Sequence, residues 1–421
     1  MNQSSSAGKQ AKLSMKERYL KLAVLVVVAG NIYPLIYLRQ NFEVSLLDAF
    51  GITSAQLGQN YAMLGVIYTI TYIPSGWLAD RVSPRVLMSL SLLMAGLLGA
   101  WFSTFPSFAA TQVIFAGWGI AAGLTFWSAL IKATAVLAEH NEQGRFFGIL
   151  EGGRGLIEAI LATIAVAIFA YATTSVGQDT AQGLQKVIWM YVSFMLILAP
   201  VSYFVLTDHA PSSATSHDAT KQGTAQELKT LLSTPGVWLC AVCILTGYQL
   251  YWATYSFSAY LQNNFGMTAV AVGAITAANL WMRPIGAAIA GFTGDLLNLE
   301  KTLAYLMIAC STALLCLGLL PVATGKLIVL AVVLTMGLFS FGIRGLYWAT
   351  IEHSGVSTKT MGLAIGFISL IGYAPHIYLP ILNSYLVTEF PEKLGYALYF
   401  GSISAMGLIG AFAAFLLARK H

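Results

Sequence analysis

Charge is scarce in this chain. Of 421 residues only 9% are Asp, Glu, Lys or Arg, against about 25% in an average soluble domain. The shortage runs along the whole length. It excludes an ordinary soluble enzyme and leaves no charged half to serve as the soluble part of a single-anchor protein. A disordered chain is excluded too, because that class is poor in apolar residues and rich in charge. Cysteine is also scarce, with four residues. Cys240 and Cys243 form a CxxC inside an apolar run with no second pair, and Cys310 and Cys316 lie in another apolar run. All four read as small buried hydrophobes, not as redox or zinc ligands. Catalytic signatures are missing as well: no HExxH, no G-x-S-x-G on a strand–helix turn and no phosphate-cradling G-x4-G-K-S/T. The sequence therefore points to no enzyme, no metal and no cofactor.

Long apolar runs are what the chain has. The hydrophobic set makes up 57% and the mean hydropathy is +0.73. A membrane-crossing helix needs about 20 mostly apolar residues. Twelve such runs fit, near 20–49, 56–79, 86–105, 108–138, 145–172, 187–207, 237–263, 268–294, 301–320, 326–350, 360–388 and 395–418. A porin-type barrel would alternate polar and apolar residues in pieces of about 10, and these runs do not. The expected fold is an all-α integral membrane protein of twelve transmembrane helices in two pseudo-symmetric six-helix bundles. The bundles occupy 20–207 and 237–418. They are joined by a polar Ser/Thr/Ala-rich linker at 208–236, with a short amphipathic helix expected at 224–232, and flanked by tails 1–19 and 419–421.

The net charge of +5 is explained by position. Under this assignment 14 of the 22 Lys and Arg fall on the side holding both termini, and three (Lys186, Lys326, Lys393) on the other. That split is the positive-inside rule and places both termini in the cytoplasm of a bacterial inner membrane. No basic face remains for nucleic acid, and no dimer signature argues against a monomer.

The two halves repeat each other. Gly76-Trp-Leu-Ala-Asp80 recurs as Gly291-Phe-Thr-Gly-Asp295 (offset 215), Trp127–Lys132 as Tyr347–Glu352 (offset 220), and Gly144-x3-Gly148 as Gly362-x3-Gly366 (offset 218). Parallel repeats of six helices imply two similar bundles with a binding site between them.

The string Gly76–Asp80-Arg81-Val-Ser-Pro-Arg85 resembles the loop 2–3 signature of the major facilitator superfamily. Tyr37-Leu-Arg39-Gln-Asn41-Phe42, Asp80-Arg81-x2-Pro84-Arg85-Val86 and Gly362-x3-Gly366-Phe-x2-Leu370-x-Gly372-Tyr373 are similar to its organophosphate:phosphate antiporters, the glycerol-3-phosphate transporter group. The resemblance implies the twelve-helix fold, alternating access, and a substrate-binding role for Arg39. Several positions depart from that group. Its helix-2 lysine falls at Tyr72, its helix-7 arginine near Leu250, and its helix-5 histidine and asparagine at Arg154 and Glu151. The symmetric arginine clamp for phosphate is thus not reproduced, and phosphate-ester specificity is not implied. New basic residues stand at Arg283 and Arg344.

A charge at the centre of a membrane helix costs about 2.5–3.5 kcal/mol on insertion scales, so each needs a partner or a purpose. Arg39 and Arg154 are the expected anion-binding residues, with Arg344 and Arg283 in support; Arg283 could instead pair with a helix-5 acid across the halves. Glu151, Arg154 and Glu158 share one helix face at i, i+3 and i+7. They fit either a structural ion triad or a proton relay. His376 is a third proton-coupling candidate, or else a neutral core histidine. Tyr37, Tyr72 and Tyr248, with Tyr33, Tyr251 and Trp252, are candidate hydrogen-bonding residues on helices 1, 2 and 7. Gly76, Asp80, Arg81, Arg85, Asp295, Lys132 and Glu352 are expected at a gate on the termini side. The function this supports is secondary active transport of a small organic anion (carboxylate, sugar acid or phosphate ester), by proton coupling or exchange. Transport of a neutral or amphipathic solute, and ligand sensing without net transport, are the alternatives.

Overall fold

The computed structural model describes residues 14–138, 142–206, 229, 231–356 and 361–419. Most of the linker expected at 208–236, including most of its amphipathic segment, lies outside the described residues, as do residues 1–13 of the N-terminal tail 1–19 and the last two residues. Twelve long helical segments follow one another: α1 (Met15–Phe50), α2 (Ser54–Arg81), α3 (Pro84–Phe102), α4 (Phe108–Leu137), α5 (Arg145–Ser175), α6 (Thr180–Val205), α7 (Pro235–Phe265), α8 (Ala269–Leu296), α9 (Leu299–Leu319), α10 (Lys326–Ile351), α11 (Ala364–Glu389) and α12 (Lys393–Ala418). Ten of them qualify as membrane spans by length and apolarity; α2 and α8, at 28 residues each, complete the set. At 1.5 Å per residue 28 residues reach about 42 Å, longer than the roughly 30 Å hydrocarbon core.

Helix ends follow capping chemistry, and the caps repeat between the halves. Gly51 ends α1 in the left-handed region (φ 59°) and Gly266 ends α7 there (φ 58°). Two residues on, Thr53 and Thr268 cap α2 and α8 by accepting from the backbone N–H of Gln56 and Ala271. The expected start of α6 at 187 moves back to Thr180, because Asp179 caps the helix at Gln182 and its first turn is polar. α1 breaks at Tyr37–Leu38, so Arg39 begins a second helical segment, Arg39–Phe50. α4 carries a π-helical stretch, Ile120–Trp127, of the kind that often marks functional sites. Of the four cysteines, Cys240, Cys243 and Cys310 are buried as expected; Cys316 is exposed, because it falls on the outer face of α9.

The halves α1–α6 and α7–α12 meet along α2 with α11, α5 with α8, and α1 with α7 and α8. Glycine permits the approach. A Cβ at Gly58 would lie 2.7 Å from the Pro380 carbonyl oxygen, one at Gly65 2.8 Å from that of His376, and one at Gly155 2.7 Å from Arg283 Cδ. On the side of the Gly51 and Gly266 turns, Asn41 Nδ2 also donates to Thr276 Oγ1 at 2.8 Å, and the Glu43 N–H donates to Ser258 Oγ at 3.3 Å. Toward the termini side these helix faces part. Gly76 continues the Gly58–Gly65 stripe of α2, Gly148 and Gly152 continue the Gly155 stripe of α5, and Gly291 and Gly366 are their counterparts on α8 and α11. A Cβ at any of these five would meet nothing within 4 Å. The bundles therefore form a V, shut on one side and open on the termini side.

Gly65→Ala would place its methyl against backbone that cannot yield. Overpacking of this kind costs about 1–3 kcal/mol. Gly366→Ala meets open space and should change stability by no more than about 0.5 kcal/mol. Thermal unfolding of the two variants in detergent should separate them; equal shifts would contradict the packing described.

Candidate functional site

A cavity open to solvent lies between the halves. Its first-half walls are Tyr33, Pro34, Tyr37, Gln40 and Asn41 of α1, Tyr68 and Tyr72 of α2, Ala122, Gly123 and Trp127 of α4, and Arg154, Glu158 and Ala162 of α5. The second half supplies Tyr248, Tyr251 and Tyr255 of α7, Leu280 of α8, Arg344 of α10, and Tyr373 and His376 of α11. On α1, α2, α5, α7 and α11 the polar positions recur three, four or seven residues apart, so each of these helices turns one polar face inward. Tyr68, Tyr255, Tyr373 and Gln40 were not among the expected residues, although Tyr68 is one turn from Tyr72 and Tyr255 one turn from Tyr251. The π-helical stretch of α4 brings Gly123 against α2, where a Cβ would sit 2.5 Å from Thr71 Oγ1.

The four arginines differ in what surrounds them. Arg39 Nη2 lies 3.0 Å from both carboxylate oxygens of Glu43, and its guanidinium packs over the Tyr61 ring at 5.2 Å. Both members of this pair are 2% exposed. Arg39 does not line the cavity: the break at Tyr37–Leu38 turns it toward Glu43, one helical turn on. Arg154 lines the cavity but is held by Glu151 at 3.2 Å and Glu158 at 3.4 Å. Arg283, on the opposite half, pairs with Glu158 and lies 3.4 Å from Glu151. It is behind the wall, not in it. Two carboxylates and two guanidiniums thus form one quartet across α5 and α8. With both acids ionised its net charge is zero.

Arg344 is different. It lines the cavity, and among the described residues no carboxylate lies within ion-pair distance of it. Its guanidinium sits over Tyr251 at 4.3 Å and beside Tyr248 at 5.9 Å. Stacking on an aromatic face leaves the guanidinium N–H fork available for a planar anion. Gln40 adds a buried amide Nε2 without a hydrogen-bond partner.

His376 is enclosed by aromatics. Its Nε2 is 2.7 Å from the Tyr248 hydroxyl and 3.1 Å from that of Tyr37, and the Trp252 ring meets it edge-on at 4.7 Å. At the termini end, Lys132 Nζ donates to the Ala79 carbonyl at 2.8 Å, Arg81 packs on Trp77 at 4.1 Å, and Arg85 packs on Tyr203 at 5.1 Å. The side chains of Asp80, Asp295 and Glu352 lie outside the described residues.

Residues 26–380 match the model of the Major Facilitator Superfamily. The chain belongs to that family. It is accordingly a multi-pass inner-membrane transporter and not an enzyme. It is 27% identical over 412 residues to the inner membrane protein YihN of Escherichia coli K12, covering 96% of each chain. It is 24% identical over 433 residues to a D-galactonate transporter of Escherichia coli O6:H1, again covering 96% of each. In fold it is similar to a bacterial homologue of the human lysosomal transporter Spinster, solved in an inward-facing, unoccupied conformation. There the TM-score is 0.74 at 15% identity, over 97% of this chain and 98% of the other.

Removing one member of a buried ion pair leaves the other uncompensated, at a cost of about 3–5 kcal/mol. Glu158→Gln should therefore lower the unfolding temperature strongly. Glu151→Gln should do so much less, because the Glu151 side chain is 49% exposed and water can replace it. Equal shifts would mean that the quartet does not depend on Glu158.

Proposed function

We propose that this transporter carries a small organic anion, a sugar acid in particular, by alternating access. The observation that carries the reading is Arg344, a cavity cation with no carboxylate partner among the described residues. Around it the other charges cancel, so a monoanion restores neutrality on entry. A guanidinium can hold a carboxylate or phosphate bidentately. Eight tyrosine hydroxyls, with Gln40 and Asn41, offer hydrogen bonds to a polyhydroxylated body. The D-galactonate transporter among the relatives supports a sugar acid within that class.

The bundles 20–207 and 237–418 rock about the cavity in this reading. Both termini are cytoplasmic, the open side faces the cytoplasm, and the protein works as a monomer. The missing ATPase motif leaves proton symport or anion exchange as the energy source. For proton coupling, Glu158 and Glu151 are the carboxylates that matter. A proton on Glu158 would release Arg283 from Arg154's partner and loosen α5 from α8. Gly76, Asp80, Arg81, Arg85, Asp295, Lys132 and Glu352 would latch the termini side when it closes. Arg39, paired with Glu43, would hold the shut side and not the substrate.

Ligand-induced thermal stabilisation tests the anion site. A ligand at a hundred times its Kd adds about 2.7 kcal/mol to the folded state. Sugar acids should stabilise the wild type and the Arg39→Gln/Glu43→Gln double variant, but not Arg344→Gln. Stabilisation by neutral solutes alone, or an unchanged response in Arg344→Gln, would overturn the reading.

A further inference from the structure

We infer that His376 is a positioning residue that fixes which way the Tyr248 hydroxyl faces, making that wall a reader of ligand hydroxyl groups. This rests on the cavity being the substrate site, as proposed above. His376 Nδ1 lies 3.3 Å from the Tyr373 carbonyl oxygen. A carbonyl only accepts, so Nδ1 carries the hydrogen, and in the neutral ring Nε2 presents a lone pair. The Tyr248 hydroxyl, the nearer at 2.7 Å, donates to that one lone pair, while the Tyr37 hydroxyl lies at 3.1 Å. A hydroxyl that donates to Nε2 has spent its one hydrogen. Its oxygen then has only lone pairs to offer the cavity that Tyr248 lines. Such an oxygen accepts from ligand O–H groups and gives nothing to a carboxylate.

The ring is held in this setting. Trp252 meets its face edge-on at 4.7 Å and Tyr68 at 5.7 Å. Gly65 brings the α2 backbone against the His376 main chain. None of the ion pairs or hydrogen bonds of the described residues brings a carboxylate to the imidazole. Tyr248 also stands beside Arg344. The wall therefore has two adjoining parts: a cation for the charged end of the ligand and a hydroxyl acceptor for its body.

The test is binding to the purified full chain, read by tryptophan fluorescence, with gluconate, hexanoate and sorbitol as probes. Wild type should prefer gluconate to hexanoate by tenfold or more. Losing one hydrogen bond should cut that preference about fivefold. Tyr248→Phe and His376→Phe should each do so, raising the gluconate Kd by more than the hexanoate Kd. His376→Gln, whose amide oxygen can accept the Tyr248 proton, should restore most of the preference. A folded His376→Phe variant with an unchanged ratio would overturn the inference. So would parallel loss of gluconate and hexanoate in both His376 variants, which would make the residue merely structural. Equal binding of gluconate and hexanoate by wild type would overturn it too, while leaving the anion site intact. Sorbitol binding as tightly as gluconate, still dependent on His376, would uphold it and overturn the anion reading instead.

Discussion

The tie between Glu158 and the two arginines Arg154 and Arg283 is the interaction on which the rest of the structure depends. It joins α5 of one half to α8 of the other at the edge of the cavity. Glu151 completes it from the more exposed side. The acids offset the cost of holding these two guanidiniums in an apolar bundle, where an unpaired charge costs several kcal/mol. Mutual neutralisation also sets the character of the cavity. With Arg154 compensated, and Arg39 removed to its own pair with Glu43, the field inside is governed by Arg344. Of the four intramembrane arginines only Arg344 is left without a carboxylate among the described residues.

The second constraint is the packing of the four helices along which the halves meet. α2 and α11, and α5 and α8, touch through glycines on the shut side, and the same faces present bare glycines on the open side. A face of small residues packs equally well at either end. Side chains there would fix one separation, whereas glycines permit both. The Glu158 quartet lies near the transition from touching to parted, between Gly155 in contact and Gly152 in open space. It is placed to respond to any change in the angle of the V.

Much of the fold was legible in the sequence. Apolar run length gave twelve helices, and the offset near 215 gave the two bundles. The repeat is deeper than motifs alone suggested, since Gly51/Gly266 and Thr53/Thr268 repeat the turn and the cap as well. Termini of helices were less legible where capping overrode hydropathy, as at Asp179. The site was legible by residue type and helix face, because i, i+4 spacing puts Tyr68 beside Tyr72 and Tyr251 beside Tyr255. What spacing cannot give is the partner on another helix. Arg39 drew attention through its motif, yet its acid lies four residues on in the same helix. Arg283 finds its acid 125 residues away. Arg344 is distinguished by having none among the described residues, a property that exists only once the helices are assembled.

A structure of the protein saturated with a sugar acid tests the central claim most directly. The account predicts the carboxylate within hydrogen-bond distance of the Arg344 guanidinium, with the Glu158 quartet and the Arg39–Glu43 pair still closed. A carboxylate seated on Arg154 or Arg39, with its glutamate displaced and Arg344 left untouched, would contradict it.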